Sequence, residues 1–508
     1  MSQLQEEGIA KDPTGISGFE LVACGGLPRG RTVLLSGTAG SAKTVFAAQF
    51  LAEGIKQFGQ TGVFVTCEES PTDIRRNLLG FGWDIEEWEK QGKWCFVDAS
   101  PQFDQPNTVS GSFDMGGFLV RIEHAIAKVS ASRVSLDSLG SIMGQFEDKL
   151  AVRSELLRIA AALKTLEVTA ILTSERTEEY GHISRYEVEE FIADNVIILR
   201  NGLHDEKRRR TVEILKFRGT NHQKGEFPFT VRTGEGIVII PLSAIELTQK
   251  STSIRISSGN GDLDLMCGGG FFRDSILLAS GATGCGKTLL TNVFMSAGVQ
   301  NAERCLLLAF EESRDQVVRN ASGWGIDFQA MEKTGKLKVV CTYPEHDNLE
   351  DHLIMIKKII EDYRPTRLAL DSLSALQRVS SGKGFREFVI GLTSYVKAFQ
   401  IATLFTSTTS YGLNGNSSVT ADHISTITDS IILLRYVEFF GEMHRGLTVL
   451  KMRGSHHDKE IREFTINNTG LHIGRPFRHI TGILRGDPKH MPPAEMDRLA
   501  QLFQEEVS

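Results

Sequence analysis

Two octapeptides in this chain, GTAGSAKT at 37–44 and GATGCGKT at 281–288, carry the residue types that grip a triphosphate. The second obeys the pattern Gly-x-x-x-x-Gly-Lys-Thr, follows the apolar run Ile276–Ala279 and opens a stretch of helical composition. In that setting the backbone N–H groups of Gly281, Ala282, Thr283, Gly284, Cys285 and Gly286 cradle ATP phosphates at a helix N-terminus. Lys287 neutralises the β- and γ-phosphates, and the Thr288 hydroxyl sits on Mg²⁺. Gly37, Thr38, Ala39, Gly40, Ser41, Ala42, Lys43 and Thr44 are the first copy of the same device. It departs from the pattern at Ala42, where a glycine is called for. If that position needs a positive φ, alanine costs about 1 kcal/mol relative to glycine. Lys43, Thr44 and the flanking strand and helix are intact, so the change reads as tolerated, with weaker nucleotide binding in this half as the alternative.

Acidic residues recur in step with these loops. Asp137 and Asp371, each in an LDSL string at the end of an apolar strand, are placed to hold Mg²⁺ through water beside the phosphates. Glu68-Glu69 and Glu311-Glu312 follow the apolar runs 62–66 and 305–310. A carboxylate there can take a proton from an attacking water or hydroxyl. The bland reading, an acidic helix start, suits one Glu of each pair. Glu68 and Glu311 are the catalytic choices, and Glu69 and Glu312 stay as candidates beside them. Lys216 and Arg218, with counterparts Lys451 and Arg453, alternate along a strand end and share a face. Such a cationic face suits a γ-phosphate contact made like an arginine finger, and a solvated edge strand is the competing account.

One position separates the copies. In the register that pairs LKFRGTNHQK (215–224) with LKMRGSHHDK (450–459), Ser425 and Thr426 fall opposite Glu190 and Phe191. Only the rear copy offers hydroxyl acceptors there. Phosphoryl transfer to a hydroxyl needs positioning, a base and charge stabilisation, all of which the neighbouring motifs supply.

The elements that must hold these residues follow from the repeat itself. Four motifs recur in the same order, so the chain divides into a first domain (1–242), a Ser/Thr/Gln-rich linker (243–258), a second domain (259–480) and a tail (481–508). Within each copy short apolar strands alternate with helical periodicity, as in Leu119, Ile122, Ile126 and Val129 before 133–136. That alternation predicts α/β domains with a mainly parallel, helix-covered sheet, joined towards each end by antiparallel strands over 211–217 and 446–452. At 508 residues and 41% hydrophobic composition there is material for two large cores, which excludes a disordered scaffold. No apolar run reaches the ~18 residues of a membrane span. Seven scattered cysteines without a Cys-x-x-Cys pair fit a reducing cytoplasm, not a disulfide framework or a zinc site. The net charge of −7 disfavours nucleic acid, and the basic run Lys207–Arg210 reads as a solvated loop.

The chain resembles the KaiC circadian-clock family of ATPases and autokinases. The resemblance rests on FGWD at 81–84, RRRTVEILKFRGTNHQKGEFPFT at 208–230, MCGGGFF at 266–272 and HISTITDSIILLRYVEFFGEM at 423–443. It implies tandem RecA-like domains assembled as two-tiered homohexamers with ATP at subunit interfaces. It further implies a slow ATPase in the first tier, where Glu68 activates water, and self-phosphorylation of Ser425 and Thr426 in the second, with Glu311 as base. Lys216, Arg218, Lys451 and Arg453 would then reach a neighbour's γ-phosphate. The tail departs from the family, reading as an amphipathic helix with Met496, Leu499, Ala500 and Phe503 on one face. That departure favours a KaiB-like partner over a KaiA-like activator. Competing classes are a RecA-like DNA-binding motor, a scaffold that binds nucleotide without turnover, and a non-clock stress-signalling relative. The absence of an Asn-Lys-x-Asp string argues against a GTPase.

Overall fold

The runs Thr32–Gly37 and Ile276–Gly281 are buried at every position, which demands a sheet covered on both faces. A computed structural model supplies that sheet twice. It describes residues 9–100, 114–144, 146, 148–185, 189–204, 207–241, 251–380, 382–409, 424–439, 441–477, 480–483 and 489–490. The chain separates into two compact units between Ala244 and Ile245.

In the first unit a nine-stranded sheet runs, edge to edge, Gly236–Ile239, Glu226–Arg232, Lys207–Phe217, Asn195–His204, Thr32–Gly37, Thr169–Glu175, Arg133–Asp137, Gly62–Thr66, Trp94–Asp98. From Asn195–His204 to Trp94–Asp98 neighbours are parallel, and the remaining pairings are antiparallel. The second unit repeats this order: Gly470–Pro476, Arg462–Asn467, Glu442–Met452, Ser430–Phe439, Ile276–Gly281, Ala402–Thr408, Arg367–Asp371, Cys305–Ala309, Leu337–Cys341. Helices Lys43–Phe58 and Lys287–Gln300 follow the central strands and bury Phe46 and Phe50, and Leu290 and Phe294, against the sheets. One fully buried arginine pins each helix to its sheet. Arg367 makes a bidentate pair with Glu303 (2.9 and 3.0 Å) and lies over Phe294. Arg133 instead donates to the carbonyls of Pro13 and Phe50, and burial lowers its pKa to about 10.

Two sequence readings meet a different outcome. Within the stretch set aside as linker, Arg255–Ile256 is a strand paired with Phe271–Phe272, as Lys11–Asp12 pairs with Leu27–Pro28. Ser258 is buried, and its N–H donates to Asp264. A Ser-rich composition does not distinguish a linker from a short strand whose partner lies fifteen or so positions away. The basic run Lys207–Arg210 is not a loop. It opens the strand Lys207–Phe217, because Asn195–His204 supplies a ladder that extends pairing back beyond the β-branched residues. The proposed tail helix, with Met496, Leu499, Ala500 and Phe503, lies outside the described residues. Among the described residues no helix is long and apolar enough to cross a membrane.

Candidate functional site

Each phosphate loop turns from the central strand into its helix through a left-handed residue: Ala42 at φ 71° and Gly286 at φ 106°. The alanine therefore does carry the conformational cost anticipated for it. Replacing Ala42 by glycine is expected to raise the first unit's thermal midpoint by about 2–4 °C, the shift that about 1 kcal/mol produces in a domain of this size. Gly286→Ala should lose more, since its Cβ would stand 3.0 Å from Ile466 Cδ1 as well as at positive φ. Differential scanning calorimetry of the two variants checks both signs.

Within the loops the lysines fold over their own carbonyls. Lys43 Nζ donates to Gly37 and Thr38 (both 3.0 Å), and Lys287 Nζ to Gly281 (2.9 Å) and Ala282 (2.8 Å). Burial lowers the Lys43 pKa, against the opposing pull of Glu175, Asp137, Glu68 and Glu179. Thr44 Oγ1 donates to Asp137 Oδ2 at 2.7 Å, and Thr173 holds the other oxygen. Burial pushes the Asp137 carboxyl up, while these two hydroxyl bonds pull it down. Thr406 holds Asp371 in the same way. A hydroxyl and a carboxylate beside a phosphate loop are the hard oxygen donors that suit Mg²⁺, which takes few protein ligands when phosphates supply others.

The carboxylate pairs enter from the adjacent strand ends. Glu68 accepts from Ser138 and Ser141, whereas Glu311 accepts from Ser372 (3.2 Å) and is ion-paired with Arg378 (2.6 Å). Glu69 and Glu312 turn aside to Asn77 (2.8 Å) and Asn320 (3.2 Å). Burial and the nearby Asp371 push the Glu312 carboxyl up. In the second unit these groups line a cavity of about 850 Å³ with Thr283, Gly284, Lys287, Thr288, Glu311 and Asp371 on its wall.

Three of the lining residues, Arg445, Arg378 and Trp324, escaped the sequence reading. Arg445 was legible in principle, for it falls opposite Arg210 in the aligned copies, and Arg210 Nε donates to Gly40 of the first loop at 3.2 Å. Trp324 repeats an aromatic, Phe81, whereas Arg378 had no such signal, since Gly144 stands opposite it.

The remaining candidates gather elsewhere. Lys451 Nζ donates to the carbonyls of Ser425 and Thr428 (both 2.7 Å), and Arg453 Nη2 to that of Thr426 (2.7 Å), so both cations grip the short helix Ile424–Ile427. In the first unit Lys216 holds Glu190 and Ala193, and Arg218 pairs with Asp194. This cluster sits at the start of the central strand: Asp429 N donates to Ile276 O, and Ser430 pairs with Leu277. The phosphate loop leaves the same strand's far end, at Gly281. Across the six-residue strand, five steps of about 3.3 Å put about 17 Å between its two ends, beyond the reach of a side chain. Neither the cations nor Ser425 and Thr426 line the cavity of their own unit.

Tandem parallel sheets, each with a phosphate loop, an aspartate at a neighbouring strand end and a carboxylate pair, define a double RecA-like P-loop ATPase that binds ATP. The comparisons sharpen that class. A family model described as "ATPase: KaiC" matches residues 12–244 and again 256–477. The chain is 63% identical over 507 residues to "Circadian clock protein KaiC3" of Synechocystis sp., covering all of both chains. It is 53% identical over 494 residues to "Circadian clock oscillator protein KaiC" of Thermostichus vulcanus, covering 97% of this chain and 95% of that one. A protein of the same description from Parasynechococcus marenigrum is also 53% identical, over 97% of this chain. The chain belongs to the KaiC family.

Proposed function

We propose that this protein is a clock or timing component that hydrolyses ATP in its first domain and phosphorylates its own Ser425 and Thr426 in its second, between copies in a hexameric ring. One observation carries the reading. The hydroxyls and the cations that would serve a γ-phosphate stand at the sheet edge opposite their own phosphate loop, so each site is complete only with a second copy. In the transfer, the Ser425 or Thr426 oxygen bonds to the γ-phosphorus while the bridge to the β-phosphate breaks and ADP leaves. Glu311 of the nucleotide-holding copy takes the hydroxyl proton, and Lys451 and Arg453 stabilise the charge spreading over the phosphoryl oxygens. Thr288 and Asp371, with Thr44 and Asp137 in the first domain, would hold Mg²⁺, which neutralises phosphate charge when bound. In the first domain no hydroxyl replaces Glu190, and Glu68 would activate water instead, with Lys216 and Arg218 as the cations.

Membership of the KaiC family supports oligomerisation and clock partners in general; a KaiB-like protein is the partner proposed here. Seven free cysteines accord with a cytoplasmic setting. Incubation with Mg²⁺ and γ-labelled ATP, followed by mapping of the label, tests the reading. Label on Ser425 or Thr426 is the expected result. Label recovered only as free phosphate would leave the ATPase and remove the kinase.

A further inference from the structure

The two domains hold their exposed arginines differently. In the first, Asp194 is shared by Arg218 (3.3 Å) and by Arg31 (3.1 Å), which sits just ahead of the central strand. In the second, the position of Arg31 is occupied by Ser275, which brings no charge. The cation arrives from another element: Lys397, at the end of the helix Gly382–Ala398, pairs with Asp429 at 2.8 Å.

Asp429 is the node of this arrangement. Its Oδ2 accepts from Ile276 N (2.9 Å) at the start of the central strand, and its backbone carbonyl accepts from Arg453 N (2.9 Å). Its Oδ1 faces Arg453 Nη1 at a loose 3.5 Å, and that arginine is 53% exposed. The Lys397 contact is the tighter and the more buried, with side-chain exposures of 26% and 16%. It therefore fixes the carboxylate, and Arg453 takes its bearing from a carboxylate already set. The same lysine offsets Asp429's charge, so that Arg453 is not drawn wholly onto the aspartate and keeps its field for an incoming phosphate. All three side chains line a cleft of about 740 Å³, and Lys397 also adds to the positive field felt by Lys451.

We propose that Lys397 is a positioning residue for phosphoryl transfer: through Asp429 it aims Arg453, and the acceptor helix bonded to it, at the triphosphate of the neighbouring copy. The inference rests on the between-copy reading above. It is tested in the full chain by steady-state transfer of γ-labelled phosphate onto Ser425 and Thr426. With Lys397→Met, kcat is expected to fall about tenfold while KM for ATP moves less than twofold, the pattern of a lost transition-state interaction. Lys397→Arg should recover kcat to within about twofold, because an arginine can restore the ion pair. Wild-type kcat in K397M, a loss expressed in KM alone, or a loss that K397R does not restore would each overturn the proposal. A parallel Arg453→Met chain separates the two levels. If R453M transfers normally, the γ-phosphate role given to Arg453 in the reading above fails and the role of Lys397 with it, and if R453M is impaired while K397M is not, only the role of Lys397 fails.

Discussion

A chain carrying Glu311→Gln is expected to transfer phosphate to Ser425 and Thr426 about 10²–10⁴-fold more slowly, the usual worth of a positioned general base. Glutamine keeps the side chain's shape and can still accept from Ser372, which lies 3.2 Å from Glu311 Oε2. It cannot receive the hydroxyl proton, and it gives up the ion pair with Arg378. The first domain supplies an internal control, because the hydrolysis proposed for it would rest on Glu68, held by Ser138 and Ser141 in a separate unit. Phosphate release from that domain should continue while label on the protein disappears. Glu312→Gln is the contrasting variant. That carboxylate is turned towards Asn320, and its replacement should cost far less than that of Glu311. Equal losses from both variants would mean that the pair acts through its summed charge and that neither residue is the base.

Much of this was readable before any coordinates, for physical reasons that can be named. Phosphate loops are local: a strand, a glycine turn and a helix N-terminus occupy consecutive residues, so GATGCGKT announces both its chemistry and its surroundings. The positive φ at Ala42 was foreseeable because the second copy has Gly286 there, and a repeat lets one half of the chain interpret the other. Long-range pairing was not foreseeable. Lys207–Arg210 looks like a polar loop until Asn195–His204 is laid beside it, and Arg255–Ile256 looks like linker until Phe271–Phe272 is. Arg378 and Lys397 were invisible for a related reason. Each is paired with one carboxylate distant in sequence, Glu311 or Asp429; Gly144 stands opposite Arg378, and although Lys164 stands opposite Lys397, Asp194 in the first domain is held by Arg31 and Arg218. The double edge of the sheet was also hidden, since sequence placed Lys451 and Arg453 on one face without saying at which end of the strands that face lies.

That end decides between two geometries, and mixing two inactive chains distinguishes them. Lys287→Met removes the ammonium that bonds Gly281 and Ala282 and would meet the β- and γ-phosphates, but leaves Ser425 and Thr426 in place. A chain with Ser425→Ala and Thr426→Ala holds nucleotide but has nothing to modify. Alone, neither should acquire label. Within a single copy about 17 Å of strand separates the loop from the acceptors, so a mechanism confined to one chain keeps both chains silent after mixing. If the acceptor helix of one copy faces the phosphate loop of the next, the mixture should become labelled, and solely on the chain with the defective lysine. For random six-membered rings at equal ratio, about half of that chain's copies have a competent neighbour, so labelling should approach about half the wild-type level per acceptor-bearing chain. Adding Arg453→Met to the acceptor-bearing chain should abolish this rescue, while the same change in the donor chain should leave it intact. The cation bonded to the Thr426 carbonyl travels with the acceptor, not with the nucleotide, and only a site shared between copies predicts that asymmetry.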